Sequence, residues 1–191
     1  MVKEKFMKKQ PEMTAATKQR LVDAFWTLYE KKRIDQIRVK EITDLAQLHR
    51  GTFYEYFNDI YDLAAQEETE IMQQLEETMA VKQQNKESNN DLRNIAEFYL
   101  KNGRRLNLLI ASGSNSDFIN RFKDSLFPLF QSVNQTADSE RSSIVYEFGI
   151  NGLLMAFHKW YEFENRMPID DLLKLLQSII GTGIPDTLKS L

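Results

Sequence analysis

Arg50, Thr52, Tyr54 and Tyr56 place one guanidinium and three hydroxyl groups within seven residues. They lie in the segment RGTFYEYF, where Phe53 and Phe57 stand four apart and share an inward face. That leaves Arg50, Thr52, Tyr54, Glu55 and Tyr56 more or less outward. Just before it comes VKEITDLA, in which Val39, Ile42, Leu45 and Ala46 share one face of a two-turn helix. Gln47, Leu48 and His49 separate the two segments. Two short helices joined by a three-residue turn are the elements of a helix-turn-helix, whose second helix can enter a major groove.

Other chemistry is poorly supplied. The chain has no cysteine and only two histidines, His49 and His158, so disulfides, thiolate sites and cysteine nucleophiles are excluded and a histidine metal cage nearly so. No glycine-rich phosphate loop occurs, and Asp170 and Asp171 fall where the last helix begins, a position that serves its dipole. An enzyme is not expected, nor a cofactor, nor a metal.

The elements that must carry the donors are helical. Only 7 glycines and 4 prolines punctuate 191 residues, too few for a many-stranded fold. Thr14 is a good N-cap for a first helix bearing Leu21, Phe25 and Leu28 and closing on Lys31, Lys32 and Arg33. After the helix-turn-helix, a fourth helix is expected from Asp59 to about Lys82. Others are expected over Leu92–Ala111, Asp117–Val133 with a bend at Pro128, about Glu140–Asn165, and from Pro168 to a stop at Gly181. Polar stretches at 83–91, 112–116 and 134–139 read as loops. The prediction is an all-α chain of about eight or nine helices.

The formal charge of −3 conceals an asymmetry: residues 1–60 carry +3 and residues 61–191 carry −6. Lys3, Lys5, Lys8 and Lys9 make residues 1–13 a short basic arm, either a solvated tail or one that lies on phosphates. No apolar run approaches the roughly 20 residues that cross a bilayer, and none follows the N-terminal lysines as a signal peptide would require. A soluble, cytoplasmic protein without membrane contact is expected.

The capped first helix, the segment VKEITDLAQLHRGTFYEYF and the long fourth helix together resemble the tetracycline-repressor (TetR-like) family of transcription regulators. The pattern appears as Ile42 and Ala46, then Gly51, Thr52, Phe53, Tyr54, Tyr56 and Phe57, over roughly 45 residues. The resemblance implies a DNA-binding set of Arg38, Lys40, His49, Arg50, Gly51, Thr52, Tyr54 and Tyr56. Thr52 and Tyr54 suit phosphate oxygens, with the helix N-terminus adding amide donors, and Gly51 allows close approach to the duplex. Arg50 is shaped to read a guanine edge, Lys40 can reach a base or phosphate, and Tyr56 would lie along the backbone. There are departures. Gln47 stands where glycine is usual, Arg38 replaces a capping threonine, and Ile60 with Asp59 occupies the place of a phosphate-binding lysine. Weaker or more arm-dependent DNA binding is the expected consequence.

A regulator of this kind reads a palindromic operator on double-stranded DNA as a homodimer. The expected interface uses the last two helices through Phe148, Gly152, Leu153, Ala156, Leu172, Leu176 and Ile179, faces that also suit the core of a monomer. Phe98, Tyr99, Phe122, Tyr146, His158 and Trp160 are candidates to line a pocket for an unknown small-molecule effector, although aromatics at helical spacing are also ordinary core. The domains expected are the arm at 1–13, a DNA-binding head at 14–60 and a regulatory, dimerising part at 61–191. The function implied is a dimeric, ligand-responsive transcription regulator, usually a repressor. The alternative is a protein-interaction module on the same fold with weak or no DNA binding.

Overall fold

The computed structural model describes residues 11–80, 91–111, 116–131 and 139–183. These hold eight α-helices and one 3-10 turn, and among the described residues there is no strand. The helices are α1 (Pro11–Tyr29), α2 (Val39–Ala46), α3 (Arg50–Tyr54), α4 (Ile60–Ala80), α5 (Asp91–Ala111), α6 (Ser116–Gln131), α7 (Ser139–Glu162) and α8 (Ile169–Thr182), with the 3-10 turn at Ile34–Gln36. Two compact units divide between Glu70 and Ile71.

In the first unit Leu21, Val22, Phe25 and Trp26 of α1 are buried, as are Ile37, Ile42, Ala46, Phe53, Phe57 and Leu63. Each large apolar side chain so buried contributes about 1.5–3 kcal/mol. Phe25 stacks on Tyr29 at 5.4 Å between centroids, and Phe53 meets Phe57 at 5.4 Å. Phe53 and Phe57 thus hold the short α3 and the turn after it on the core.

In the second unit the buried set includes Ile95, Phe98, Tyr99 and Leu106 of α5, Phe118 and Phe122 of α6, Ile150, Leu154 and Phe157 of α7, and Leu173 of α8. Gly103 on α5 is packed against the Tyr161 ring so closely that a Cβ there would lie 2.4 Å from the ring. Arg93 of α5 pairs with Asp170 at the start of α8.

Four helix boundaries differ from expectation. Helix α1 is already helical at Pro11, the first described residue and three residues before Thr14. It ends at Tyr29, where the amides of Lys31 and Lys32 both donate to Leu28 O and turn the chain. Helix α3 stops at Tyr54 rather than Phe57. Helix α8 passes through Gly181 and closes on Gly183, whose φ of 87° suits a residue without Cβ and whose amide donates to Ile179 O at 3.1 Å. Helix α6 is helical on both sides of Pro128. Residues 1–10 of the basic arm and most of the stretches 83–91, 112–116 and 134–139 lie outside the described residues.

Candidate nucleic-acid interface

The turn between α2 and α3 is closed by backbone chemistry. Gln47 adopts the left-handed conformation (φ 53°, ψ 47°), its amide donates to Asp44 O, and the Leu48 amide reaches back to Thr43 O at 2.9 Å. This is the Schellman arrangement, satisfying two carbonyls at the end of α2 without a glycine. His49 follows in extended conformation as the N-cap of α3 and is exposed.

Arg38 is the N-cap of α2, and a guanidinium has no acceptor with which to cap. The cap is supplied from the other side: the Arg38 amide donates to Glu41 Oε2 at 3.0 Å. Glu41 Oε1 lies 2.6 Å from Lys32 Nζ, so one carboxylate ties the chain after α1 to the start of α2. Lys32 first, then the Arg38 amide, hold the Glu41 carboxyl below its ordinary range.

Of the donors expected outward on and just after α3, two are exposed and two are half-buried. Arg50 and Gly51 are exposed, Tyr54 is 55% exposed, and Thr52 is half-buried. Tyr56 is also half-buried, and its hydroxyl donates to Thr14 O at 3.2 Å, which pins the chain beyond α3 against α1. Lys18 adds a second tie, donating to Gln66 Oε1 at 3.0 Å. Lys40 is exposed but paired with Asp44 one turn on, at 2.7 Å. The first turn of α4 is closed by acids: the Asp62 amide donates to Asp59 Oδ1, and Asp62 Oδ2 accepts from the Asn58 amide at 2.7 Å. The Asn58 amide is the main reason the Asp62 carboxyl stays below its ordinary range.

An open cleft of about 300 Å³ lies in this same unit, lined by Arg20, Asp23, Ala24, Thr27, Leu45, Ala46 and Gln47. Arg20 crosses it to donate to Ala46 O.

In the second unit the six pocket candidates fall into three groups. Phe98 and Phe122 meet at 6.0 Å between centroids and are buried. Tyr99 and His158 converge on one atom: Asn107 Oδ1 accepts from the Tyr99 hydroxyl and stands 2.9 Å from His158 Nδ1. An amide oxygen only accepts, so the proton on that side of the ring belongs to Nδ1 as assigned. Burial pushes the Tyr99 hydroxyl up, so it remains a donor. Tyr146 and Trp160 are engaged elsewhere, donating to Lys123 O and Met167 O. Burial, with Asp124 and Glu147 nearby, raises the Tyr146 pKa to about 12.

Of the seven interface candidates, Leu153, Leu172 and Leu176 are buried within the single chain, while Ala156 and Ile179 are half-buried. Gly152 is exposed, and Phe148 is 74% exposed. Phe148 belongs to an apolar stripe on α7 with Ile144, Val145 and Met155, all exposed.

Compared by sequence, the chain matches no protein-family model and no curated protein. Its fold does have counterparts among solved structures. A TetR transcriptional regulator from Streptococcus agalactiae 2603V superposes with a TM-score of 0.64 at 19% identity, covering 88% of this chain and 96% of that one. The fatty acid degradation regulator FadR from Bacillus halodurans gives 0.62 at 14% identity, covering 91% and 96%. The dihydroxyacetone kinase operon activator DhaS gives 0.53 at 17% identity, covering 91% and 97%.

The chain has the TetR-type all-α fold.

Within that TetR-type fold, the three sequence departures have defined structural outcomes. Gln47 takes the left-handed conformation that glycine would take more cheaply. Arg38 leaves capping to Glu41. Ile60 is half-buried at the start of α4, beside the acidic closure made by Asp59 and Asp62. Asp44 escaped the sequence reading, although its i,i+4 spacing from Lys40 was the available signal. The closeness of Gly103 to Tyr161 carried no sequence signal.

Proposed function

We propose that this chain is a dimeric, sequence-specific DNA-binding transcription regulator, a repressor whose operator affinity is set by a small molecule held in its C-terminal part. The observation that carries the reading is the donor face of α3. Arg50 and Tyr54 are presented outward from a helix of five residues whose own core contacts are confined to Phe53 and, beyond its end, Phe57. Exposed guanidinium and hydroxyl donors on so short a helix suit a groove lined with phosphates and base edges. The functional parts proposed are the basic arm at 1–13, the head at 14–60 and the regulatory part at 61–191. Arg38, Lys40, His49, Thr52 and Tyr56 would contact or border the phosphates, and Gly51 leaves room for the duplex.

Dimerisation is proposed through α7 and α8, with the exposed stripe of Ile144, Val145, Phe148 and Met155 across Gly152 as its centre. Phe148 exposed to water would be an uncompensated apolar surface in a monomer. The effector site is proposed among Phe98, Tyr99, Phe122, Tyr146, His158 and Trp160, an apolar wall with hydroxyl and imidazole handles. Ligand there would act through differential affinity for two conformations. No catalytic role is proposed, and the site of action is the cytoplasm.

The test is a mobility shift with the DNA upstream of the protein's own gene, run on the wild type, Arg50→Ala and Tyr54→Ala, with sedimentation of wild type and Phe148→Glu. A shift abolished in both head variants, and a dimer dissociated by Phe148→Glu, are the expected results. Undiminished binding in both head variants would overturn the site. No shift with any duplex, together with capture of a protein partner through the same face, would favour an interaction module. The resemblance to DhaS, described as an operon activator, makes a promoter-reporter assay the check on the sign of regulation.

A further inference from the structure

Of the five residues of α3 only Phe53 is buried, and one buried side chain fixes the place of a helix without fixing its tilt. The tilt is set at the two ends, and both ties come from α1. On the near side Arg20 donates from Nη2 to the carbonyl of Ala46, the last residue of α2. On the far side the hydroxyl of Tyr56, two residues beyond α3, donates to the carbonyl of Thr14 at 3.2 Å. The Ala46 carbonyl is one of the four that a helix leaves unmet at its C-terminus. The turn takes up those of Thr43 and Asp44, and the Arg20 guanidinium takes that of Ala46, its charge also suiting the negative end of the helix. Packing gives little help at this point, since Arg20 crosses a cleft of about 300 Å³ and Leu45 in its lining is 51% exposed. Asp23 lines the same cleft but accepts from Gln19 at 2.9 Å, leaving the guanidinium to the carbonyl.

A group that reads base edges must be held within about 0.5 Å and 10–20° of its working geometry. Gln47, Leu48 and His49 are all that lie between Ala46 and Arg50, so a change in the direction of the Ala46 carbonyl is carried into the first turn of α3. Resting on the DNA-binding reading above, we propose that Arg20 and Tyr56 are positioning residues of the DNA interface, which clamp the two ends of α3 to α1 and so set the angle at which Arg50 and Tyr54 meet the bases. Arg20 is an exposed cation on the head, yet it acts on DNA through the end of α2 rather than by touching a phosphate. The Tyr56 hydroxyl likewise works inward, on α1. Phosphate binding tolerates a tilted helix and base readout does not, so the clamp governs specific binding and leaves non-specific binding alone.

The experiment compares the full chain with Arg20→Met, Arg20→Lys and Tyr56→Phe on two probes, the duplex that the wild type enriches most from a random pool and a scrambled duplex of the same composition. Dissociation constants are measured across a salt series, at a temperature where circular dichroism shows every protein folded. Arg20→Met and Tyr56→Phe are each expected to weaken binding to the enriched duplex by about tenfold, the scale of one lost base contact, with the scrambled duplex and the salt slope unchanged. Arg20→Lys keeps a cationic donor and should recover most of the loss seen in Arg20→Met. A salt slope smaller by about one unit in Arg20→Met, or a loss shared equally by both duplexes in Tyr56→Phe, would make these residues phosphate contacts and overturn the clamp. Wild-type affinity in folded Arg20→Met and Tyr56→Phe would reduce the two bonds to stability alone and overturn it as well, with DNA binding left standing. A wild type that enriches no duplex would overturn both.

Discussion

The indole Nε1 of Trp26 donates to the Glu67 carboxylate at 2.9 Å, and both residues are buried. The bond links α1 to the first half of α4 across the core that supports the α2–α3 pair. A carboxylate taken out of water needs its donors, since an unmet buried acceptor costs about 1–3 kcal/mol. Trp26→Phe is therefore expected to lower stability by about 2–4 kcal/mol, the lost donor adding to the lost volume. Trp26→Phe combined with Glu67→Leu should recover part of that loss. Urea unfolding measures both, and a double variant no more stable than the single one would contradict the role of the bond.

Gln47 holds a left-handed conformation at a position where the backbone, not the side chain, makes the turn. A non-glycine residue costs about 1–2 kcal/mol there, and glycine gives back part of the gain through its greater freedom when unfolded. Gln47→Gly should raise the urea midpoint, with a net gain of about 0.5–1 kcal/mol. A lower midpoint would show that the Gln47 side chain contributes something the turn geometry does not require.

Lys40 and Asp44 form an exposed pair, and such pairs contribute about 0.3–0.5 kcal/mol. Asp44→Asn should leave stability almost unchanged while freeing a cation on the proposed DNA face. Tighter DNA binding and a salt dependence steeper by about one unit of log–log slope are the outcomes to look for. A binding curve that superposes on the wild type would place Lys40 away from phosphates.

Gly103 has no room for a methyl group beneath the Tyr161 ring. The ring is not free to swing aside, because Arg166 lies over it at 4.7 Å and Tyr99 meets its edge at 6.0 Å. Gly103→Ala should destabilise the second unit by about 1–3 kcal/mol despite alanine's better helix propensity. In a Tyr161→Leu background the same change should cost much less, a coupling that thermal melts of the four proteins can read.

Glu41 is ionised more readily in the folded chain than when unfolded, because Lys32 and the Arg38 amide favour its charged form. A depressed folded pKa adds stability above the unfolded value and loses it as pH falls through the folded one. The stability difference between wild type and Glu41→Gln should be complete at about pH 6, begin to shrink near the ordinary value of 4.5, and vanish in stronger acid. Urea midpoints across pH 3–7 provide the check, and a difference that persists unchanged at pH 3 would rule out the charge as its source.

Much of the fold was legible because amphipathic periodicity survives without context. Leu21, Phe25, Ile42, Phe53 and Phe57 all fall inside, as their spacing requires. The apolar faces of the last two helices were ambiguous for a physical reason: periodicity reports that a face is buried, not by what. Leu153, Leu172 and Leu176 turned out to be covered by their own chain, while Phe148 on a neighbouring face was not. Helix ends were legible only where a single residue dominates. Thr14 looked like a cap, but it lies inside a helix already formed at Pro11, and Gly181 looked like a stop, but the chain waited for Gly183. Gly103 could not have been found at all, since the closeness of two helices is a property of the pair.

The chain's two tryptophans are divided between its two units, and both are buried with their indole N–H groups engaged, Trp26 on a carboxylate and Trp160 on the Met167 carbonyl. Intrinsic fluorescence is therefore the sum of two separate reporters, one for each unit. Exciting the natural protein during unfolding would reveal whether the two halves melt together or in succession, without any label.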